Sequence, residues 1–122
     1  MTLEIINQDF SLCKIERLNV VDFHDPFCFV GKTDEEISLV CSTPYVPKEV
    51  IERVDGYKAL RIQGMLDFSM VGILAEIASL LAENQISIFA ISTYNTDYIL
   101  IRENQFYSAL KVLGNEGYHI LV

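Results

Sequence analysis

Positive charge is scarce in this chain. Nine Lys and Arg residues stand against seventeen Asp and Glu, a formal net charge of −8 over 122 residues. That balance disfavours nucleic acid as a partner, because phosphates call for clustered Lys and Arg, and it disfavours an anionic membrane surface. Long apolar runs are missing too, and nothing approaches the roughly 20 residues that a membrane helix needs. The opening MTLEIINQDF has neither the basic region nor the apolar core of a signal peptide, so a soluble, cytoplasmic protein is expected. Cysteine is sparse and unpatterned. Cys13, Cys28 and Cys41 are odd in number and share no C-x-x-C spacing, which suits reduced, mostly buried thiols better than metal ligands. There is no H-x-x-x-H, no glycine-rich phosphate loop and no G-x-S-x-G. No catalytic residue, metal or cofactor is expected.

What is present is apolar. With 51% hydrophobic and 21% charged residues, the chain should fold as one compact unit or as two small halves sharing one core. The second half is the more regular. YKALRIQG (57–64) alternates and ends at Gly, which suits a strand. In MVGILAEIASLLAEN, Met70, Ile73, Leu74, Ile77, Ala78 and Leu81 fall at helical spacing, with Gly72, Glu76, Ser79 and Glu83 opposite. Ser69 is the expected N-cap and Asn84 the expected stop. ISIFAIS (86–92) reads as a buried strand, TYNT as a turn with Asn95 able to take a left-handed conformation, and DYILIR (97–102) as the return strand. NQFYSALKVLGNEG gives a second helix with Phe106, Ala109, Leu110 and Leu113 on one face, and YHILV a last strand. Residues 57–122 therefore spell β-α-β-β-α-β, an α+β, ferredoxin-like order.

The first half offers FSLCKIE, FCFVGK and EISLVCS as strands and PKEVIERV as one short helix opened by Pro47. It is expected to pack on the second half or to form an abbreviated copy of it, giving segments 1–56 and 57–122. ISIFAIS is apolar on both faces. A sheet with helices on one face would leave Phe89 and Ile91 wet, so the first half or a second chain should cover or extend it.

Two features of the second half have binding chemistry. The first-turn amides of the helix, placed at 70–73, have no intrahelical acceptor and sit at the positive end of the dipole, where an α-carboxylate could rest. Gly72 on that turn costs about 1 kcal/mol against Ala, so either it is a tolerated glycine or it allows close backbone approach. Asp97 is the lone charge between Glu83 and Arg102. It either stabilises the turn or holds a ligand's ammonium or guanidinium group. Amides for a carboxylate and Asp97 for a cation would together recognise a zwitterion.

The run LRIQGMLDFSMVGILAEIASLLAENQISIFAISTYNTDYILI resembles an ACT domain, most closely the branch found as tandem repeats in aspartokinases and in the cytosolic arginine sensors of animals. The family's aliphatic-Gly-aliphatic helix start and its I-S-I-F-x-I-S-T-x-x-T-D-Y-x-L-I pattern are matched from residue 70 to residue 101. The resemblance implies two intertwined ACT-like halves and regulatory amino-acid binding rather than catalysis. It places candidate ligand contacts at Phe68, Ser69, Met70, Val71, Gly72 and Ile73 on the helix start, and at Ser92, Thr93, Tyr94, Asn95 and Asp97 on the hairpin. The first half holds no second copy of the S-T-x-x-T-D motif, so a complete site calls for a second chain and a homodimer. The alternative is an ACT module that builds a dimer and binds nothing small. An enzymatic reading has one cluster to stand on, Asp22, His24, Asp25 and Cys28 in VVDFHDPFC. A Pro-containing loop between strands is, however, a routine place for Asp and His.

Overall fold

The computed structural model describes residues 1–63 and 72–122. Its strands are β1 (Thr2–Ile15), β2 (Cys28–Lys32), β3 (Ile37–Ser42), β4 (Glu52–Ile62), β5 (Ile88–Ser92), β6 (Asp97–Arg102) and β7 (His119–Leu121). Its helices are α1 (Ile73–Glu83) and α2 (Glu103–Asn115). The chain divides into two compact units, one formed by Met1–Asn7 with Lys58–Val122 and the other by Gln8–Tyr57.

In the first unit the order β4-α1-β5-β6-α2-β7 is the β-α-β-β-α-β succession that periodicity implies, an α+β, ferredoxin-like fold. Strands lie in the order β7-β1-β4-β6-β5. β5 and β6 pair antiparallel from Ile88↔Ile101 to Ser92↔Asp97, and β7 runs parallel to β1 from Thr2↔His119 to Glu4↔Leu121. The strand alternation aims Leu3, Leu60, Ile62, Ile99 and Ile101 into one core with Ile77 and Leu81 of α1 and Ala109 and Leu113 of α2. These are the helix faces that the 3.6-residue spacing marks, while Glu76, Ser79 and Glu83 are exposed.

Helix ends depart from expectation. The N-cap of α1 is Gly72 at φ 86°, so its first turn begins at Ile73; Ser69 and Met70 lie outside the described residues. A Cβ built on Gly72 would meet nothing within 4 Å among the described residues. The glycine meets a demand of its own backbone, a left-handed φ that L side chains rarely adopt. α1 stops at Asn84, but the residue that turns left-handed is Gln85 (φ 59°), with the Ile86 amide donating to Leu81 O at 2.9 Å and the Gln85 amide to Ala82 O at 3.0 Å. That pair of bonds is a Schellman closure without its usual glycine. Asn95 has no positive φ, because Gln85 is the one non-glycine residue with a positive φ among the described residues.

The second unit orders its strands β2-β3-β1-β4. β3 pairs antiparallel with β1 (Phe10↔Ser42 to Ile15↔Ile37) and with β2 (Cys28↔Cys41 to Lys32↔Ile37). Cys13, Ile15, Val21, Leu39 and Cys41 form its core. The helix expected over PKEVIERV is absent: a short 3₁₀ turn covers Thr43–Tyr45, and β4 starts at Glu52. The amide of Ile51 donates to Lys14 O at 2.8 Å, and pairing with β1 takes a segment whose β-branched Val50, Ile51 and Val54 fit a strand at least as well as a helix.

Candidate functional site

Of the helix-start residues singled out, Phe68, Ser69, Met70 and Val71 lie outside the described residues, leaving Gly72 and Ile73. Gly72 O accepts the Glu76 amide at 2.8 Å, which opens α1. Ile73 lines a cavity of about 240 Å³ together with Met1, Glu76, Glu116, Gly117 and Tyr118. The last three come from the end of α2. Gly117 (φ 99°) ends that helix in a Schellman motif, with its own amide on Gly114 O at 3.1 Å and the Tyr118 amide on Leu113 O at 3.1 Å. The reversal delivers Tyr118 to α1, where its hydroxyl donates to Glu76 Oε1 at 2.5 Å. Burial, and then the adjoining Glu76 carboxylate, push the Tyr118 phenol up to about 12. The cavity thus combines two carboxylates, a neutral phenol and an apolar wall at the mouth of a helix. Sequence reasoning missed Glu76, Glu116 and Tyr118 as a group, because only the packing of α1 against α2 joins them.

The hairpin residues form a different constellation. The Ser92 hydroxyl donates to Asp97 Oδ1 at 2.5 Å across the directly opposed pair that closes β5 and β6. The Thr93 amide and hydroxyl both donate to Thr96 O at 2.9 Å. Thr96, buried, donates its own hydroxyl to Ile62 O at 2.9 Å and ties the turn to β4. Asp97 is therefore engaged in closing the turn, while Tyr94, 79% exposed, and Asn95 face solvent. None of Ser92, Thr93, Tyr94, Asn95 or Asp97 is among the described residues lining the cavity at Ile73.

The cluster of the enzymatic reading divides in role. Asp22 Oδ1 accepts the His24 amide at 3.0 Å and lies 2.9 Å from His24 Nδ1, a surface turn that holds the carboxyl below its usual range. Asp25 is buried and accepts the Ser42 amide and hydroxyl, each at 2.7 Å, and the Phe27 amide at 3.0 Å. Those bonds brace the strand end of β3. Burial raises the thiols of Cys13, Cys28 and Cys41, the last to about 12, which removes the thiolate a nucleophile needs. Among the described residues no group of three or more His, Cys, Asp or Glu side chains is placed to hold a metal ion. Nor is any helix among them long and apolar enough to cross a membrane.

Comparison with known proteins places this geometry in a family. A protein of Agobacterium tumefaciens solved by X-ray crystallography is 28% identical, with a TM-score of 0.87 over 98% of this chain and 91% of its own. Aspartate kinase from Clostridium acetobutylicum matches at 16% identity and TM-score 0.69 over 90% of this chain and 33% of the kinase. The Synechocystis aspartate kinase matches at 16% and 0.64 over 99% and 27%. At those identities the kinases show a shared fold. A search of curated proteins finds no match. The family profile described as ACT domain matches residues 52–115, more than half of the sequence, and this chain belongs to the ACT domain family.

Proposed function

We propose that this protein is a non-catalytic regulatory module that binds a small amino acid at the mouth of α1. The observation that carries the reading is the cavity of about 240 Å³ at Ile73, in which the Glu76 and Glu116 carboxylates would take an ammonium group. The first-turn amides of α1, which have no intrahelical acceptor, would take the carboxylate. Candidate contacts on the helix start (Phe68, Ser69, Met70, Val71, Gly72, Ile73) and on the hairpin (Ser92 to Asn95, with Asp97) remain part of this proposal. The hairpin contributes through a second copy of the chain in a cytoplasmic homodimer. Residues 1–56 and 57–122 act in it as an abbreviated and a complete ACT half. Its closeness in fold to part of a kinase described as an allosteric enzyme supports a regulatory role. A net charge of −8 speaks against nucleic acid as the partner.

The test is a thermal and chemical stability screen of the whole chain against single amino acids. A ligand that binds the folded state alone adds about 2.7 kcal/mol at a hundredfold excess over its dissociation constant. Glu76→Ala should abolish the gain. If no common amino acid at millimolar concentration changes stability, the binding reading is lost.

One observation favours the second reading, an assembly module without a small ligand. β5 is an edge strand in the order above, and Phe89 on it is 38% exposed. Under that reading light scattering shows a dimer that Phe89→Glu dissociates, with no response to amino acids.

A further inference from the structure

A cavity of about 260 Å³ lies wholly within the Gln8–Tyr57 unit, where the end of β1 meets the segment leading into β4. Its apolar wall is Val20, Val50 and Ile51. Val20 and Val50 pack on the cysteine-lined core, so that wall is held in place. The backbone frame is held as well: the Ile51 amide donates to Lys14 O at 2.8 Å, and the Val21 amide to Leu18 O at 3.2 Å closes the 3₁₀ turn carrying Val20. Yet Ile51 is 54% exposed, a large apolar side chain at the rim with nothing on it.

The charged lining sorts into one satisfied pair and two opposite charges without a partner. Arg17 Nη2 donates to Glu49 Oε2 at 2.7 Å, and the two cancel. Glu16 and Lys48 have no hydrogen bond or ion pair among the described residues, although both line the cavity. An ammonium group and a carboxylate that line the same cavity as an aliphatic wall complement a molecule carrying both charges and a branched aliphatic arm. A lone anion would leave Glu16 repelling it, and a lone cation would meet Lys48. The volume falls just under the usual range of about 300–1,000 Å³ for ligand cavities, which limits the occupant to a compact metabolite.

We propose that this cavity is a second, independent binding site for a small zwitterion with a branched aliphatic arm. Lys48 binds the carboxylate, Glu16 binds the ammonium group, and Val20, Val50 and Ile51 hold the arm. The site needs no residue of the α1 cavity.

The test titrates the full chain with L-leucine, isovalerate and isopentylamine and follows backbone amide shifts by NMR. L-Leucine should move the amides of Val20, Val50 and Ile51. Each half-ligand should bind at least about tenfold more weakly, the loss expected when one hydrogen bond to a charged group goes. Lys48→Ala and Glu16→Gln should each weaken L-leucine by a similar factor without changing the urea midpoint, since both side chains are exposed. The proposal is overturned if millimolar L-leucine leaves those three amides unmoved, or if both variants bind as the parent does. Shifts confined to Ile73, Glu76 and Tyr118 and lost in Glu76→Ala would overturn this site while supporting the one at α1. Shifts confined to Val20, Val50 and Ile51 would support this site and show that L-leucine is not the ligand at α1.

Discussion

Removing the carboxylate of Asp25 separates a structural role from a catalytic one. Asp25 is 5% exposed, and its partner Ser42 is fully buried. In Asp25→Ala the Ser42 amide and hydroxyl lose acceptors at 2.7 Å, and the Phe27 amide loses one at 3.0 Å. A buried donor left without a partner costs about 1–3 kcal/mol. Phe27 is only part-buried, so water can replace its acceptor, and the two stranded Ser42 donors dominate. Two such donors span about 2–6 kcal/mol, and the middle of that range, about 4 kcal/mol, is the expectation. Equilibrium urea unfolding reads this as a lowered midpoint at constant slope. Asp25→Asn should fall between Ala and the parent, since an amide keeps one acceptor oxygen. Asp22→Ala, on the exposed turn with His24, should stay within about 0.5 kcal/mol. If Asp25→Ala costs no more than Asp22→Ala, the carboxylate is not braced into the fold, and the structural account of VVDFHDPFC is wrong.

The two left-handed positions flanking α1 predict opposite signs. Gly72→Ala has open space around it but must adopt φ 86°, and should destabilise by about 1–2 kcal/mol. Gln85→Gly relieves φ 59° at a residue whose carbonyl, not its side chain, receives Gln105 Nε2, and should stabilise by up to about 1 kcal/mol in the same urea assay. Tyr118 predicts a pH dependence. Its phenol titrates near 10 when unfolded and about 12 when folded, so its contribution is complete below pH 10 and is lost as pH rises through about 12. The fall in urea midpoint over that window should be shallower in Tyr118→Phe, and equal slopes for the two proteins would refute the raised phenol, to which burial contributes most and Glu76 next. Native thiol labelling should proceed at half-buried Cys28 first, with Cys13 and Cys41 following only on unfolding. Labelling of Cys41 ahead of Cys28 would contradict the burial of the second unit's core.

Elements built on periodicity were legible in the residues themselves. Ile73, Ile77 and Leu81, or Phe106, Ala109 and Leu113, leave few choices for two helices, and ISIFAIS with DYILIR leaves few for a hairpin. These signals are local, since a helix or strand shows its buried face within one or two turns of chain. The ACT pattern lies in the same stretch, so family and element order are both legible there. PKEVIERV was ambiguous because its β-branched residues fit both periods, and the pairing of Ile51 with Lys14, far off in the sequence, decided it. The left-handed position went to Gln85 instead of Asn95. Closing α1 onto the core demanded it there, while Thr93 and Thr96 closed the hairpin without it. Neither cavity had a local signature: Ile73 and Tyr118 line one through the packing of α1 on α2 and the turn at Gly117, and Glu16 and Lys48 line the other through the pairing that brings Ile51 to Lys14. Local periodicity determined which segments became helix or strand, and long-range pairing and packing alone decided which charges came to share a cavity.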